Sequence, residues 1–145
     1  MTTIAVNKDS LYGDLQYTNG SYKFKGNGKV FKFKAHPLIC ESDYIAGFAG
    51  SANDLIDVKH FFEDPESKPP RARELYGLVL TMEGKMYRFD NYKRWFELNE
   101  PYSAIGSGRD FAMGAMALGA SPKEAIKIAS KHDVFTGMGV KGYSI

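Results

Sequence analysis

The sequence predicts a mixed α+β domain built from two antiparallel sheets stacked face to face, with helices on the outside. Three observations carry this expectation. The first third alternates apolar and polar residues and is broken by Asn19-Gly20 and Gly26-Asn27-Gly28. A period of two between such turns marks half-buried antiparallel strands. One helix pattern then interrupts the strands after Ser51, and two more precede a last short strand.

Residues 2–6 read as the first strand, because Thr, Ile and Val are β-branched. Asn7 to Ser10 is turn chemistry. Further strands are expected over Leu11–Tyr17, Tyr22–Lys25 and Lys29–Lys34. Pro37–Cys40 and Asp43–Phe48 read as a strand pair around Glu41-Ser42-Asp43. Ser51 caps a helix whose Leu55, Val58 and Phe62 share one face, and Pro65 closes it. A polar linker runs to Pro69-Pro70. Leu75–Met82 and Lys85–Asp90 flank Glu83-Gly84 as a hairpin, with Arg94–Leu98 and Tyr102–Ile105 as a further pair. Gly106-Ser107-Gly108 opens a second helix, Arg109–Leu118, with a crowded small face of Ala112, Gly114, Ala115 and Ala117. Ser121-Pro122-Lys123-Glu124 opens a third through a capping box with proline at its first turn. Its apolar stripe is Ala125, Ile128 and Ala129, and it ends near His132. Gly139–Ile145 is the last strand.

The 145 residues form one domain by length and can bury roughly 70% of their unfolded surface without staples. Hydrophobic and charged contents of 43% and 25% are ordinary for a globular protein. Net charge is +2, spread along the chain. No Lys/Arg block is long enough for a phosphate track, so no nucleic-acid partner is expected. The one cysteine, Cys40, reads as a small buried residue and cannot form an internal disulfide. No apolar run approaches ~18 residues and the start does not read as a signal peptide, so no membrane association is expected and the cytoplasm is the expected location. His36, His60 and His132 lack ligand spacing, and no glycine-rich run carries a phosphate-loop lysine with Ser/Thr, so neither metal nor nucleotide cofactor is expected.

The chemistry is expected at the start of the chain, Met-Thr-Thr-Ile-Ala-Val. Removal of Met1 would leave Thr2 with a hydroxyl and a free α-amine on one residue. A hydroxyl is a weak nucleophile until a base takes its proton. An α-amine, with an ordinary pKa of about 7.7–8.0, can be that base. Alone this signal is weak, since most chains that open Met-Thr are ordinary proteins.

Five short stretches in order raise it: Thr-Thr-Ile-Ala-Val at the start, Gly26-Asn27-Gly28-Lys29-Val30-Phe31, Ile45-Ala46-Gly47-Phe48-Ala49-Gly50, Ala104-Ile105-Gly106-Ser107-Gly108, and Asp133-Val134-Phe135-Thr136-Gly137. With them the chain resembles the proteasome β-subunit family, and most of all its reduced bacterial form, the peptidase subunit of the two-part ATP-dependent protease. The resemblance implies the N-terminal nucleophile hydrolase fold, a four-layer αββα sandwich. It implies amide hydrolysis through an acyl-enzyme on Thr2, with the amine as base. Lys29 matches the buried lysine that holds down the amine's pKa; read from the strand alone, it is one more outward lysine. Asp14 matches its acidic partner. Gly47 matches the oxyanion donor, or is a packing glycine. Ser107, Asp133 and Thr136 match the polar cluster that orients the N-terminus, or are a helix cap and a helix exit. Ile45 matches the floor of the first specificity pocket, with a preference for apolar residues. The implied partners are a polypeptide substrate, further copies of the chain in a ring, and a separate ATPase unfoldase.

Two departures qualify the match. The first hairpin is shorter than the family's, which makes Asp9 a rival for the role of Asp14. Ser51 to Glu74 has room for one helix where the family has two, so the helical layer is reduced and a closed chamber is in doubt. A catalytically silent scaffold or assembly protein of the same fold, and a hydrolase of a small amide, are the alternatives.

Overall fold

The computed structural model describes residues 2–145, and Met1 lies outside them. The chain begins with two hairpins, β1 (Thr3–Asn7) with β2 (Ser10–Asp14) and β3 (Gln16–Asn19) with β4 (Tyr22–Lys25). Then come β5 (Val30–Phe33), β6 (Tyr44–Gly50) and α1 (Ala52–Glu63). A meander of β7 (Leu75–Thr81), β8 (Met86–Asn91) and β9 (Arg94–Glu97) leads to β10 (Tyr102–Gly106). Helices α2 (Arg109–Ala117) and α3 (Pro122–His132) precede β11 (Val140–Ser144). One sheet has the order β10-β1-β2-β11 and the other β5-β6-β7-β8-β9, while β3 and β4 form a separate ribbon.

Alternation along the strands builds four layers. From β1, Ile4 and Val6 meet Ile45, Leu78 and Leu80 of the second sheet and form the core between the sheets. Ala5, pointing the other way, lies with Ala104 under Ala112, Met116, Ala125 and Ile126 of α2 and α3. Small residues on that face let the two helices sit close. On the far side, Tyr44, Ala46 and Phe48 of β6 pack with Phe33 and Phe89 against Leu55, Val58 and Phe62 of α1. The result is an αββα sandwich with a single helix covering the second sheet. The segment after α1 returns as a strap, held where Asp54 Oδ2 accepts from the backbone N–H groups of Arg73 and Glu74, each at 3.0 Å.

Several local expectations are corrected. Leu11–Tyr17 is two strands, because Leu15 leaves the ladder: its N–H donates to Gly137 O at 3.2 Å and its carbonyl accepts from Gly26 N–H at 2.9 Å. Pro37–Cys40 is a turn closed by a bridge between His36 and Cys40, and Pro37 has no N–H to give a ladder. The strands β9 and β10 do not pair with each other; β9 extends the meander beside β8, and β10 crosses to β1. On α2 the buried residues are Ala112 and Met116, while Gly114 faces open space. On α3 they include Ala125, Ile126 and Ala129, and Ile128 is exposed. The capping box at Ser121 and Glu124 forms as expected.

Candidate active site

One end of the sandwich gathers the polar residues, because β1 starts there, β2 and β10 end there, and β5 starts there after Lys29. At its centre is Asp14, the last residue of β2 and fully buried. Its Oδ1 accepts from the Thr2 hydroxyl, from Thr3 N–H at 3.2 Å and from Lys29 Nζ at 3.2 Å. Its Oδ2 accepts from Gln16 N–H at 3.3 Å and Gly137 N–H at 3.1 Å. A carboxylate survives such burial only when paired and hydrogen-bonded in this way.

Lys29 is 4% exposed. Besides Asp14 it donates to the Gln16 carbonyl and lies 4.9 Å over the Tyr17 ring. Burial pulls its pKa below the usual 10.5, and the charge and hydrogen bond of Asp14 oppose that pull. Tyr17 is fixed by its hydroxyl, which donates to Gly28 O at 2.8 Å. Burial, with the Asp14 charge, raises its pKa. The rival Asp9 sits exposed in the β1–β2 turn, where its N–H donates to Asn7 Oδ1. Lys29 is paired with Asp14.

A second cluster touches the same two threonines. Ser107 N–H donates to Thr2 O at 2.7 Å, and Ser107 Oγ donates to Asp133 Oδ2 at 2.5 Å. Thr136 Oγ1 donates to the same oxygen at 2.6 Å and lies 2.7 Å from Thr3 Oγ1. Burial would raise the Asp133 pKa, but the hydrogen bonds from Ser107, Thr136 and Phe135 N–H win and hold it below its usual 3.8. Gly106, at φ +99°, lets this loop rest on the Thr2 carbonyl, into which a Cβ would run.

Two expected site residues are not brought to Thr2. Phe48 N–H donates to Lys29 O on the β5 side of β6, and Ser51 N–H donates to Glu74 O on the β7 side. Alternation along the strand therefore turns the Gly47 N–H into the β7 ladder, opposite Leu78. A Cβ on Gly47 would strike Ile4 and Leu11, so this glycine serves contact between the sheets. Ile45 belongs to that same core and is not among the described residues that line the two cavities at Thr2. The same alternation sends the Gly50 N–H to the β5 side, where β5 has not yet begun. Gly50, at φ +122°, borders both cavities at Thr2.

One of these cavities, about 60 Å³, is lined by Tyr17, Thr18, Lys29, Phe48 and Leu55. The other, about 390 Å³, opens past Gly50 and Ser107 toward Tyr76, Arg88 and Arg109. A larger cavity of about 630 Å³ lies away from Thr2, around Cys40, Tyr87 and Trp95. Size does not decide between them; the hydroxyl, ammonium and carboxylate that meet at Asp14 do. The sequence assigned no role to Gln16 and Tyr17, which contact Lys29, or to Gly50, which borders both cavities. Among the described residues no three His, Cys, Asp or Glu side chains are grouped to hold a metal ion, and no helix is long and apolar enough to cross a membrane.

No family model matches the sequence, and no curated protein matches it. Solved structures do. HslV from Trypanosoma brucei is 24% identical, over 98% of each chain, with a TM-score of 0.70. BPH from Thiobacillus denitrificans, in complex with epoxomicin, is 14% identical over 99% of this chain and 97% of its own, with a TM-score of 0.72. Anbu from Hyphomicrobium sp. strain MC1 is 8% identical over 100% of this chain and 82% of its own, with a TM-score of 0.73. These likenesses, together with the stacked sheets and flanking helices, identify the architecture: the chain has the proteasome-like N-terminal nucleophile hydrolase fold.

Proposed function

We propose that this chain is a threonine-type peptidase that cleaves polypeptides through an acyl-enzyme on Thr2, once Met1 is removed. One observation carries the reading: the Thr2 hydroxyl and the Lys29 ammonium converge on the same oxygen of a fully buried Asp14. Met1 lies outside the described residues, and its removal is part of the proposal. The freed Thr2 amine takes the proton of its own hydroxyl, and the positive charge of Lys29 keeps that amine neutral and able to do so. Thr2 Oγ1 bonds to the peptide carbonyl carbon, and the electron pair of the C=O bond moves to oxygen. The Gly50 N–H receives this oxyanion in place of the Gly47 N–H. Collapse breaks the C–N bond, and the amine's proton passes to the leaving nitrogen. Water, activated by the same amine, then cleaves the ester and frees Thr2. Ser107, Asp133 and Thr136 hold the backbone carbonyl of Thr2 and the hydroxyl of Thr3 in place.

On this reading the chain self-associates and a separate ATPase unfoldase feeds it. The test is hydrolysis of an unfolded polypeptide. Thr2→Ala abolishes cleavage, Thr2→Ser retains it, and Lys29→Ala lowers kcat by about 10²–10⁴-fold. Equal cleavage by Thr2→Ala would overturn the reading. A second reading, hydrolysis of a small amide, draws support from the narrow cavity beside Lys29. Turnover of short acyl amides with no cleavage of polypeptides would favour it.

A further inference from the structure

Among the described residues, the wider cavity at Thr2 carries two cations and no anion on its wall. Arg88 reaches it from β8 of the second sheet and Arg109 from the first residue of α2, the helix packed on the first sheet, so the two cations come from different layers of the sandwich. Each has an aspartate beside it. Arg88 donates to Asp90 Oδ1 at 3.2 Å, and Arg109 Nε lies 3.5 Å from Asp110 Oδ1. Both aspartates face water, 62% and 92% exposed, and neither lines the cavity. Solvent-exposed pairs of this kind interact weakly, which leaves both guanidinium groups able to take a second acceptor. The rest of the wall offers Tyr76 and Ser107 and the apolar Ala49 and Ile105.

We propose that Arg88 and Arg109 are specificity residues that select a carboxylate on the leaving side of the scissile bond. The inference rests on the reading of Thr2 as nucleophile. The Thr2 amine must hand its proton to the leaving nitrogen, so the leaving group lies on the side of the N-terminus. That side is where Ser107 binds the Thr2 carbonyl, and Ser107 lines the wide cavity with Arg109. A guanidinium presents its donors in a planar fork that matches a carboxylate, and hydrogen bonds to ionised groups are about twice as strong as neutral ones. The acyl part then occupies the narrow cavity beside Lys29, and the acidic group the wide one. Its carboxylate is the side chain of a Glu or Asp just after the cut, or the free C-terminus of a short leaving group.

The test uses the full chain and peptides identical except after the scissile bond, with Glu, Gln or Lys there and the C-terminus amidated. A further peptide has Ala there and a free C-terminus. The expected result is that kcat/KM favours Glu over Lys by about tenfold or more. A matching gain for the free carboxylate peptide alone assigns the recognised group to the C-terminus. Arg88→Gln and Arg109→Gln each shrink the Glu-to-Lys ratio, and the double variant brings it near one. Because the ratio is taken within each variant, partial misfolding does not imitate the effect. Binding of a fluorescein-labelled peptide beginning with Glu, against one beginning with Lys, reads the same selection without turnover. Equal cleavage of the Glu and Lys peptides with no gain for the free-carboxylate peptide, or equal binding where nothing is cleaved, overturns this proposal. Absence of cleavage with selective, arginine-dependent binding overturns the peptidase reading and leaves the anion site standing.

Discussion

Lys29 Nζ lies 3.2 Å from Asp14 Oδ1, and the two side chains are almost wholly withdrawn from water. This pair bears on stability as well as on the proposed chemistry. Asp14 satisfies donors from Thr2, Thr3, Gln16, Lys29 and Gly137 at once. Removing one partner of a buried pair costs about 3–5 kcal/mol, because the other charge is left uncompensated. Asp14→Ala strands more donors than Lys29→Met strands acceptors. Urea unfolding is therefore expected to rank wild type above Lys29→Met, and Lys29→Met above Asp14→Ala. A silent Asp14→Ala would contradict the geometry.

The contact of Gly47 with the facing sheet gives a separate test. A Cβ there presses on Ile4, Leu11 and Val30 between the sheets. Gly47→Ala is expected to cost about 1–3 kcal/mol by overpacking. The companion change Leu11→Val removes Leu11 Cδ2, one of the atoms in the way, so the pair should lose less in thermal melts than the sum of the two single changes.

Acid sensitivity follows from Asp133. Its folded pKa lies below its ordinary 3.8, so the folded state binds fewer protons than the unfolded one in that range. Its contribution is present above about pH 4 and is lost as pH falls through the lower folded value. Lys29 shifts in the same direction from 10.5, so its contribution is full above that value and is lost as pH falls through the lowered one. In urea midpoints taken from about pH 5 down to about pH 2, the wild type should fall more steeply than Asp133→Asn. Parallel curves would show that the cluster with Ser107 and Thr136 does not hold the carboxylate ionised.

On the proposed reading, the narrow cavity takes the acyl side chain. About 60 Å³ between Tyr17, Phe48 and Leu55 has room for a small side chain only. Peptide libraries read by mass spectrometry should therefore show Ala or Ser before the cut, a choice set by size and not by the general apolar preference that the Ile45 reading implies. Cleavage after Leu and Phe at equal rates would show that this cavity is not where the acyl side chain goes.

The order of the elements was legible in the sequence because turns such as Asn19-Gly20 and the Ser121 capping box act locally. The break at Leu15 was not, since it depends on partners from Gly26 and Gly137, far along the chain. The polar centre was legible through the motifs around Thr2, Lys29 and Ser107. The roles within Ile45–Gly50 were not. Ile45 and Ala49 face the other sheet while Tyr44, Ala46 and Phe48 face α1, and both faces are apolar. A strand buried on both sides shows no polar residue to mark its register. Which glycine offers a free N–H was therefore hidden until the ladders with β5 and β7 were in place.

The central claim is that Thr2 becomes an N-terminal nucleophile, and intact mass measures it most directly. The purified protein is weighed, treated with an epoxyketone such as epoxomicin, and weighed again beside Thr2→Ala. The account predicts a mass lacking Met1 and a single added inhibitor, with no addition to Thr2→Ala. A mass that keeps Met1, with no adduct formed, would contradict the account and favour a catalytically silent scaffold on the same fold.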